Sequence, residues 1–347
     1  MNEFSIVRPC QWHQQIVQNE TPGARAVRLS VVAPSMVSPE EPFSLRLAGL
    51  DAQGYPAAHL ENELKFDLPD ATIPPTKISL DGDELPMASV SGFAIHSPGL
   101  HRVTVRLGEQ TWQSNPIWCR TDGNEKLWWG DPHVHTILSN CHPNLCRSLD
   151  FAYIMARWGT GLDWICIADH VSGRRSDPGK WKAALQKVRL YHDPPQFVTL
   201  LGYEATLKGG DGGDNNVYFP GVDVPMWEDA CGEGDTCLLH EKLAPYPHFL
   251  VPHHTTRKNK HGEWVDHQYM GPDVQPVVEI HSKWGTGEYR GNPNALHDVH
   301  PGPAYAQDAL VMGYRLGFIG GTDSHATMPS GYGEEPSHID RLPGMTA

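Results

Sequence analysis

After residue 126, six apolar, strand-like segments of the chain end in residue types that bind metal ions. These end residues are His133 and His135, Asp169 and His170, Glu204, His253 and His254, Glu279 and His281, and Asp323 and His325. Segments with helical periodicity separate several of the runs, and strands that alternate with helices predict a parallel sheet or barrel. The carboxyl ends of barrel strands meet at one mouth. We therefore expect these side chains to converge on a metal site.

The spacing of the histidines supports this interpretation. Alternate residues of a strand face the same side, so His133 and His135 can both bind one ion, and Asp323 and His325 have the same spacing. Sixteen of the 20 histidines follow residue 130. Several imidazoles with a few carboxylates favour Zn, Mn or Fe over Ca or Mg. So many ligands predict two or three divalent ions, with Glu204 as the carboxylate that bridges them.

The first third of the chain has a different pattern. Residues 25–120 contain short segments in which apolar and polar residues alternate, and Pro and Gly interrupt them. In the segment HRVTVRL, for example, Val103, Val105 and Leu107 share one face. This pattern predicts a small all-β, sandwich-like domain. We expect an N-terminal arm over 1–24, the sandwich over 25–120, a linker over 121–126, and a metal-binding α/β domain over 127–347.

Composition excludes some classes of function. The chain of 347 residues carries a formal charge of −14, which argues against a nucleic-acid partner, since binding phosphates requires Lys and Arg. No run of about 18 apolar residues predicts a membrane span, and no apolar N-terminal segment predicts a signal peptide. The seven cysteines are odd in number and irregularly spaced, which is typical of reduced thiols. We expect a cytoplasmic protein without a membrane partner.

Five of these motifs together resemble a known family. The segments GDPHVHTILSN, DWICIADH, GYEAT, LVPHHT and GGTDSH are similar, in order and spacing, to the PHP (polymerase and histidinol phosphatase) superfamily of metal-dependent hydrolases. The resemblance covers about residues 127–326, and the preceding sandwich resembles an uncharacterised subgroup with such a domain. It implies a distorted (β/α)7 barrel, related to the TIM barrel, with a di- or trinuclear metal centre.

The resemblance also implies a set of metal ligands. That set is His133, His135, Cys141, His142, His170, Glu204, Asp214, His253, His254, Asp323 and His325. Cys141, followed by His142, stands where the family usually has Asp or His, and either residue can be the ligand. Asp214 stands where the subgroup has a histidine. The motif PHH leaves open whether His253 or His254 binds the metal.

The function that follows is metal-dependent hydrolysis of a small anionic molecule, most simply a phosphoesterase or phosphatase reaction by a metal-bound hydroxide. We expect Glu204, His281 and Arg257 to be catalytic, with Arg257 a candidate for binding the anionic group. One alternative is a carboxyl ester, lactone or amide hydrolase, because the same ions polarise a carbonyl. The other is a metal-stabilised binding module without catalysis.

The end of the chain suggests a partner. Only 22 residues follow His325, and they are rich in Gly and Pro. Proteins of the similar subgroup continue with another helix and further β structure. We therefore hypothesise that a second copy of the chain, or a partner chain, completes the C-terminal side.

Overall fold

The N-terminal part of the chain is built from β-strands, as its alternating pattern predicts. A computed structural model describes residues 4–60, 63–74, 78–80, 84–123, 125–170, 177–207, 212–224, 235–258, 263–264, 269–331 and 346. The strands of this part are β1 (Ile6–Val7), β2 (Arg28–Val32), β3 (Met36–Val37), β4 (Phe43–Leu50), β5 (Glu63–Asp67), β6 (Ala71–Thr72), β7 (Ile78–Ser79), β8 (Met87–Ile95), β9 (Gly99–His101), β10 (Thr104–Leu107), β11 (Gln110–Gln113) and β12 (Ile117–Cys119).

These strands form three small sheets around one apolar core. Their orders are β1-β8-β4-β2 with β6 also on β8, then β11-β10-β5-β7, and β3-β12-β9. In β10, Val105 and Leu107 are buried whereas Arg106 is exposed, so the predicted alternation is confirmed. The inward side chains of all three sheets join in one core cluster. The sandwich-like β structure expected over residues 25–120 is therefore present.

The second part of the chain contains both strands and helices. Its strands are β13 (Gly130–Val134), β14 (Trp164–Ile167), β15 (Val198–Thr206), β16 (Asp214–Phe219), β17 (Phe249–Pro252), β18 (Val277–Ser282), β19 (Gly285–Thr286) and β20 (Gly317–Gly320). The helices of the described chain are α1 (Gln11–Glu20), α2 (Leu149–Ile154), α3 (Pro178–Tyr191), α4 (Thr236–Leu243) and α5 (Ala306–Val311). Among these residues, no helix has the length and apolar character needed to cross a membrane.

Two of the helices begin where sequence signals place them. The hydroxyl of Ser148 accepts a hydrogen bond from the Phe151 amide at 3.1 Å and caps α2. This helix continues as a π-helical turn over Met155–Gly159. Pro178 stands at the start of α3, where its missing amide hydrogen costs no helical bond.

The expected (β/α)7 barrel is wrong. The second part instead holds a five-stranded sheet in the order β13-β14-β15-β16-β17 and a separate three-stranded sheet in the order β19-β18-β20. The helices α2 and α3 connect β13, β14 and β15, and these three strands are parallel. Only residues 207–213 connect β15 to β16, which is too short for the dozen or more residues of a parallel crossover. Strand β16 therefore runs antiparallel to β15, and the βα repeat stops there.

The mixed topology still brings the motif ends to one edge of the sheet. Strand β17 is antiparallel to β16 and therefore runs in the direction of β15. The start of β16 and the ends of β13 and β17 consequently meet at the same edge. The segment after β20 joins them there, because the Asp323 amide donates to the His133 carbonyl at 2.8 Å and the His135 amide donates to the Ser324 carbonyl at 3.0 Å.

The two parts of the chain pack against each other through shared apolar and polar contacts. Leu50 of β4 and Met87 of β8 belong to the same buried cluster as Phe151 of α2. Val17 of α1 lies fully buried in this cluster, so a helix anchors the N-terminal arm. Apart from residue 346, the segment after residue 331 lies outside the described residues. The domain boundaries, the partner at the C-terminal side and the cytoplasmic location stay predictions.

We expect Arg46→Met to destabilise the protein by about 1–3 kcal/mol, because it leaves buried carbonyls without a donor. The Arg46 guanidinium donates to the carbonyls of Gly161 and Leu162 at 2.7 and 2.6 Å and pairs with Asp163. Denaturant unfolding measures the change. The control is Arg106→Met, whose side chain is 60% exposed. It should change stability by less than about 0.5 kcal/mol. Equal effects of the two substitutions would contradict the role of Arg46.

Candidate metal centre

Four ligand atoms converge in a buried space at the edge described above. They belong to His133, His135, Glu204 and Asp323, whose residues are at most 4% exposed, and they lie within 4.8 Å of one another. The Nε2 atom of His135 is 3.1 Å from His133 Nε2, 3.0 Å from Asp323 Oδ1 and 3.2 Å from Glu204 Oε2. Nitrogen and oxygen donors so close together form a group that can hold a metal ion.

Two further groups adjoin this one. One contains His135, Cys141, His170 and His325, and the other contains Asp214, His253 and His254. In each group the ligand atoms again lie within 4.8 Å of one another. His135 belongs both to the first group and to the group with Cys141, so these two groups are adjacent and can hold neighbouring ions.

The carboxylates of Glu204 and Asp323 connect the groups. Oε2 of Glu204 is 3.3 Å from His170 Nε2, and its Oε1 is 3.2 Å from His253 Nε2. Oδ1 of Asp323 faces His135, whereas its Oδ2 is 3.1 Å from His254 Nε2. Each carboxylate thus presents its two oxygens to different histidines. This is the arrangement that a bridging carboxylate needs.

Glu279 orients His133. Its carboxylate oxygens lie 3.1 and 3.3 Å from His133 Nδ1, and a carboxylate can only accept. The proton of a neutral His133 therefore sits on Nδ1, and the lone pair of Nε2 points into the group. A carboxylate in this position also makes an imidazole more basic and a better metal ligand.

Ser139 and Asp169 orient His135 in the same way. The Ser139 hydroxyl donates to Asp169 at 2.5 Å, so it accepts from His135 Nδ1 at 3.0 Å. Its oxygen also accepts from the His170 backbone amide at 3.0 Å. Asp169 also accepts hydrogen bonds from the amide and hydroxyl of Thr136.

The charge of the buried group favours a cation. Burial lowers the pKa of His135, but hydrogen bonds to Asp323 and Glu204 outweigh it and raise that pKa to about 10. Burial raises the pKa of Glu204, yet the charges of His170 and His253 hold it well below its usual range. Imidazolium protons therefore balance the carboxylates when no metal is bound. A divalent cation fits because it can replace these protons.

Buried atoms without hydrogen bonds also point to a cation. Both ring nitrogens of His254 and Oδ2 of Asp323 are buried, and although Nε2 and Oδ2 face each other at 3.1 Å, none of these atoms makes a hydrogen bond of good geometry among the described residues. Each such atom costs free energy unless something binds it. His254 and Asp323 also have positive backbone φ angles of 52° and 51°, which residues other than Gly rarely adopt. The fold thus holds these two residues in an unusual conformation at the site.

Cys141 lies at the partly exposed side of the centre. It is half-buried, and its ligand atom is close to those of His135, His170 and His325. A side-chain hydrogen bond with Cys146 and burial raise the pKa of the Cys141 thiol to about 12. Without a metal the sulfur is therefore protonated.

Three residues of the predicted set lie outside the groups. His142 is exposed, with its ring 5.2 Å from that of His325. His281 is half-buried in β18, and Arg257 is exposed on the loop after His254. All other predicted ligands belong to at least one group, so both Cys141 and Asp214, and both His253 and His254, are close to further ligand atoms. The ring of Trp284 lies 5.4 Å from that of His325.

Sequence reasoning missed the residues that fix the ligand-bearing segments. Asp131 is fully buried and accepts hydrogen bonds from the amides of His133, Thr322 and Ser330 and from the Thr322 hydroxyl. Burial raises the pKa of Asp131 to about 6, against the lowering effect of these hydrogen bonds. Its signal in the sequence was an acidic residue within a segment that is predicted to be a strand. Ser139 gave no such signal, because a serine after a strand is common.

Comparisons with known proteins give little further information. No family model matches the chain. An uncharacterised protein of Chlamydia pneumoniae is 21% identical over 276 residues, which are 74% of this chain and 42% of that protein. The chain thus spans less than half the length of this relative. The structure of PsfC from Pseudomonas syringae aligns with 58% of this chain and 77% of PsfC, at 17% identity and a TM-score of 0.37. At this TM-score the similarity does not establish a shared fold.

We expect Gly321→Ala to weaken metal binding about 10- to 100-fold, the range seen when a residue that orients a ligand is lost. The added methyl carbon would lie 2.6 Å from Glu279 Oε2 and 2.7 Å from His133 Cβ, and would force the two apart. Calorimetric titration with Zn²⁺ measures the affinity. In the control, Gly221→Ala, the methyl group meets open space and the affinity should not change. Unchanged binding by Gly321→Ala would contradict the orienting role of Glu279.

Proposed function

We propose that this protein is a metal-dependent hydrolase that acts on a small phosphoester. The observation that carries the proposal is the convergence of ten ligand residues in three adjoining groups, two of which share His135. A single structural ion needs only about four ligands. The surplus, together with two carboxylates in bridging positions, supports a centre with two or more ions. Such centres are the usual means of hydrolysing phosphate esters.

The ions of the centre would favour an anionic substrate. A divalent ion with an open coordination position can bind a phosphate oxygen directly and neutralise part of its charge. A phosphate ester can place its oxygens at such positions. Arg257 is exposed on the loop after His254, so we assign the attraction to the centre itself.

The exposure of the ligands indicates the side from which substrate enters. The side chains of His170 and His325 are 15% and 12% exposed, whereas those of His133 and His135 are fully buried. Substrate therefore approaches past His170, His325 and Cys141. The exposed His142 lies beside His325 and is placed to pass a proton between solvent and a leaving group.

The bound ions would supply acidified water and neutralise charge on the substrate's oxygens. The chain's own residues do the holding and orienting. Glu279 and Ser139 keep the protons of His133 and His135 on Nδ1, so that both Nε2 atoms remain available. Glu204 and Asp323 would hold two adjacent metal positions at a fixed distance from each other. This preorganisation means that little reorganisation is needed during the reaction.

A relationship to the PHP superfamily remains part of this proposal. It rests on the order of the motifs and not on a barrel. The five motifs supply His133, His135, His170, Glu204 and His253, followed by His254, Asp323 and His325. These eight residues lie in the three groups, and Cys141 and Asp214 stand where the family has other residues.

The decisive experiment combines metal analysis with a substrate panel. Metal content of the purified protein is measured, and the loaded and chelated forms are assayed on phosphomonoesters, phosphodiesters, carboxyl esters, lactones and amides. We expect bound divalent metal and hydrolysis of a phosphoester that chelation abolishes. Hydrolysis of only carboxyl esters, lactones or amides would overturn the substrate class. Bound metal without any hydrolysis would indicate a binding module.

We expect His133→Ala/His135→Ala to lose bound metal and activity, because both residues contribute to the buried group. Asp323→Asn removes a ligand charge without changing side-chain volume, and it should also lower metal content. This variant tests the centre if the double substitution impairs folding. The control is His96→Ala/His101→Ala in the sandwich. Circular dichroism checks the fold of each variant. Full metal content in the His133→Ala/His135→Ala variant would contradict the proposed centre.

A further inference from the structure

We propose that Cys141 binds a metal ion as a thiolate, and that its group takes a softer cation than the rest of the centre. This inference rests on the proposed metal-dependent function. The group around Cys141 offers one sulfur and three imidazoles. The other two groups offer imidazole nitrogens and carboxylate oxygens. The centre would then hold Zn²⁺ beside Cys141, and a harder ion such as Mn²⁺ or Fe²⁺ next to the carboxylates.

The imidazoles of this group are oriented for a shared ion. Nδ1 of His325 lies 3.1 Å from the Asp323 carbonyl, which can only accept, so the proton of a neutral His325 sits there and Nε2 keeps its lone pair. Ser139 fixes His135 in the same state. The His135 ring packs against those of His325 and His170, at centroid distances of 4.3 and 4.7 Å, and the latter two rings are 6.3 Å apart. These contacts restrict the orientations of the three rings.

The loop that carries Cys141 is built to hold the sulfur at the group. Asn140 has a positive φ of 52° and turns the chain after Ile137–Ser139. The amides of Leu145 and Cys146 both donate to the His142 carbonyl at 2.9 Å and close the loop. The Cys146 thiol then donates to the His325 carbonyl at 3.0 Å, which ties the loop to the segment after β20 that carries His325.

The same loop geometry disfavours His142 as the ligand. His142 is exposed, and its ring meets the His325 ring edge-on at 5.2 Å, from outside the group. Cys141 is half-buried and faces three imidazoles. Zinc commonly takes cysteine and histidine together in a tetrahedral set, whereas manganese favours oxygen ligands. The donor set of this group therefore matches zinc.

The test uses Co²⁺ as a spectroscopic substitute for Zn²⁺. The full chain is stripped of metal and titrated with Co²⁺ while its absorption spectrum is recorded. We expect an intense thiolate-to-cobalt charge-transfer band in the near ultraviolet. Cys141→Ser should lose the band and bind Co²⁺ at this position at least about tenfold more weakly. Cys141→Asp, which supplies an oxygen ligand, should bind Co²⁺ without the band and shift the metal preference towards Mn²⁺.

Two control variants establish which side chain supplies the ligand. Cys146→Ser and His142→Ala should keep the band, because neither residue binds the ion. A band that persists in Cys141→Ser, or bound Co²⁺ without a band in the unmodified protein, would overturn the role of Cys141 and leave the hydrolase proposal intact. Failure of the unmodified protein to bind Co²⁺ or Zn²⁺ at all would overturn both proposals.

Discussion

The second part of the molecule depends on two imidazole nitrogens and two carboxylate oxygens that face one another in a buried space. Lone pairs and negative charges at 3.0–3.5 Å repel each other strongly where water is excluded. Protons or a cation must therefore lie between them. Without metal, the histidine protons fill this role, as the high pKa of His135 indicates. A metal ion that the group can hold would replace these protons.

A surrounding layer of hydrogen bonds keeps these atoms in place. Glu279 fixes His133, and Ser139 with Asp169 fixes His135. Asp131 ties β13 to the segment that carries Asp323, because it accepts from the Thr322 and Ser330 amides. These contacts join strands of both sheets of the second part. The ligands are therefore rigid before any metal binds, and ordering them on metal binding costs little entropy.

Much of the site could be predicted from sequence, but the fold could be predicted only in part. Apolar runs ending in His, Asp or Glu identified ten of the residues that the structure brings together, when the motif resemblance is included. The alternation in the first part correctly indicated sandwich-like sheets. The barrel prediction was wrong because the seven-residue connection 207–213 forces a hairpin between β15 and β16, where a barrel needs a helical crossover. Asp131 and Ser139 were missed because their roles depend on contacts across the sheet.

The sequence by itself determined the residue types of the centre, their position at strand ends, and the β character of the first part, since these depend on local periodicity. The tertiary structure decided which ligands lie together. It placed Asp214, at the start of an antiparallel strand, beside His253 and His254. It also placed Cys141, and not His142, in the group that contains His325. Strand direction and loop closure set these contacts. Both depend on pairings between residues far apart in the chain, which local sequence patterns do not specify.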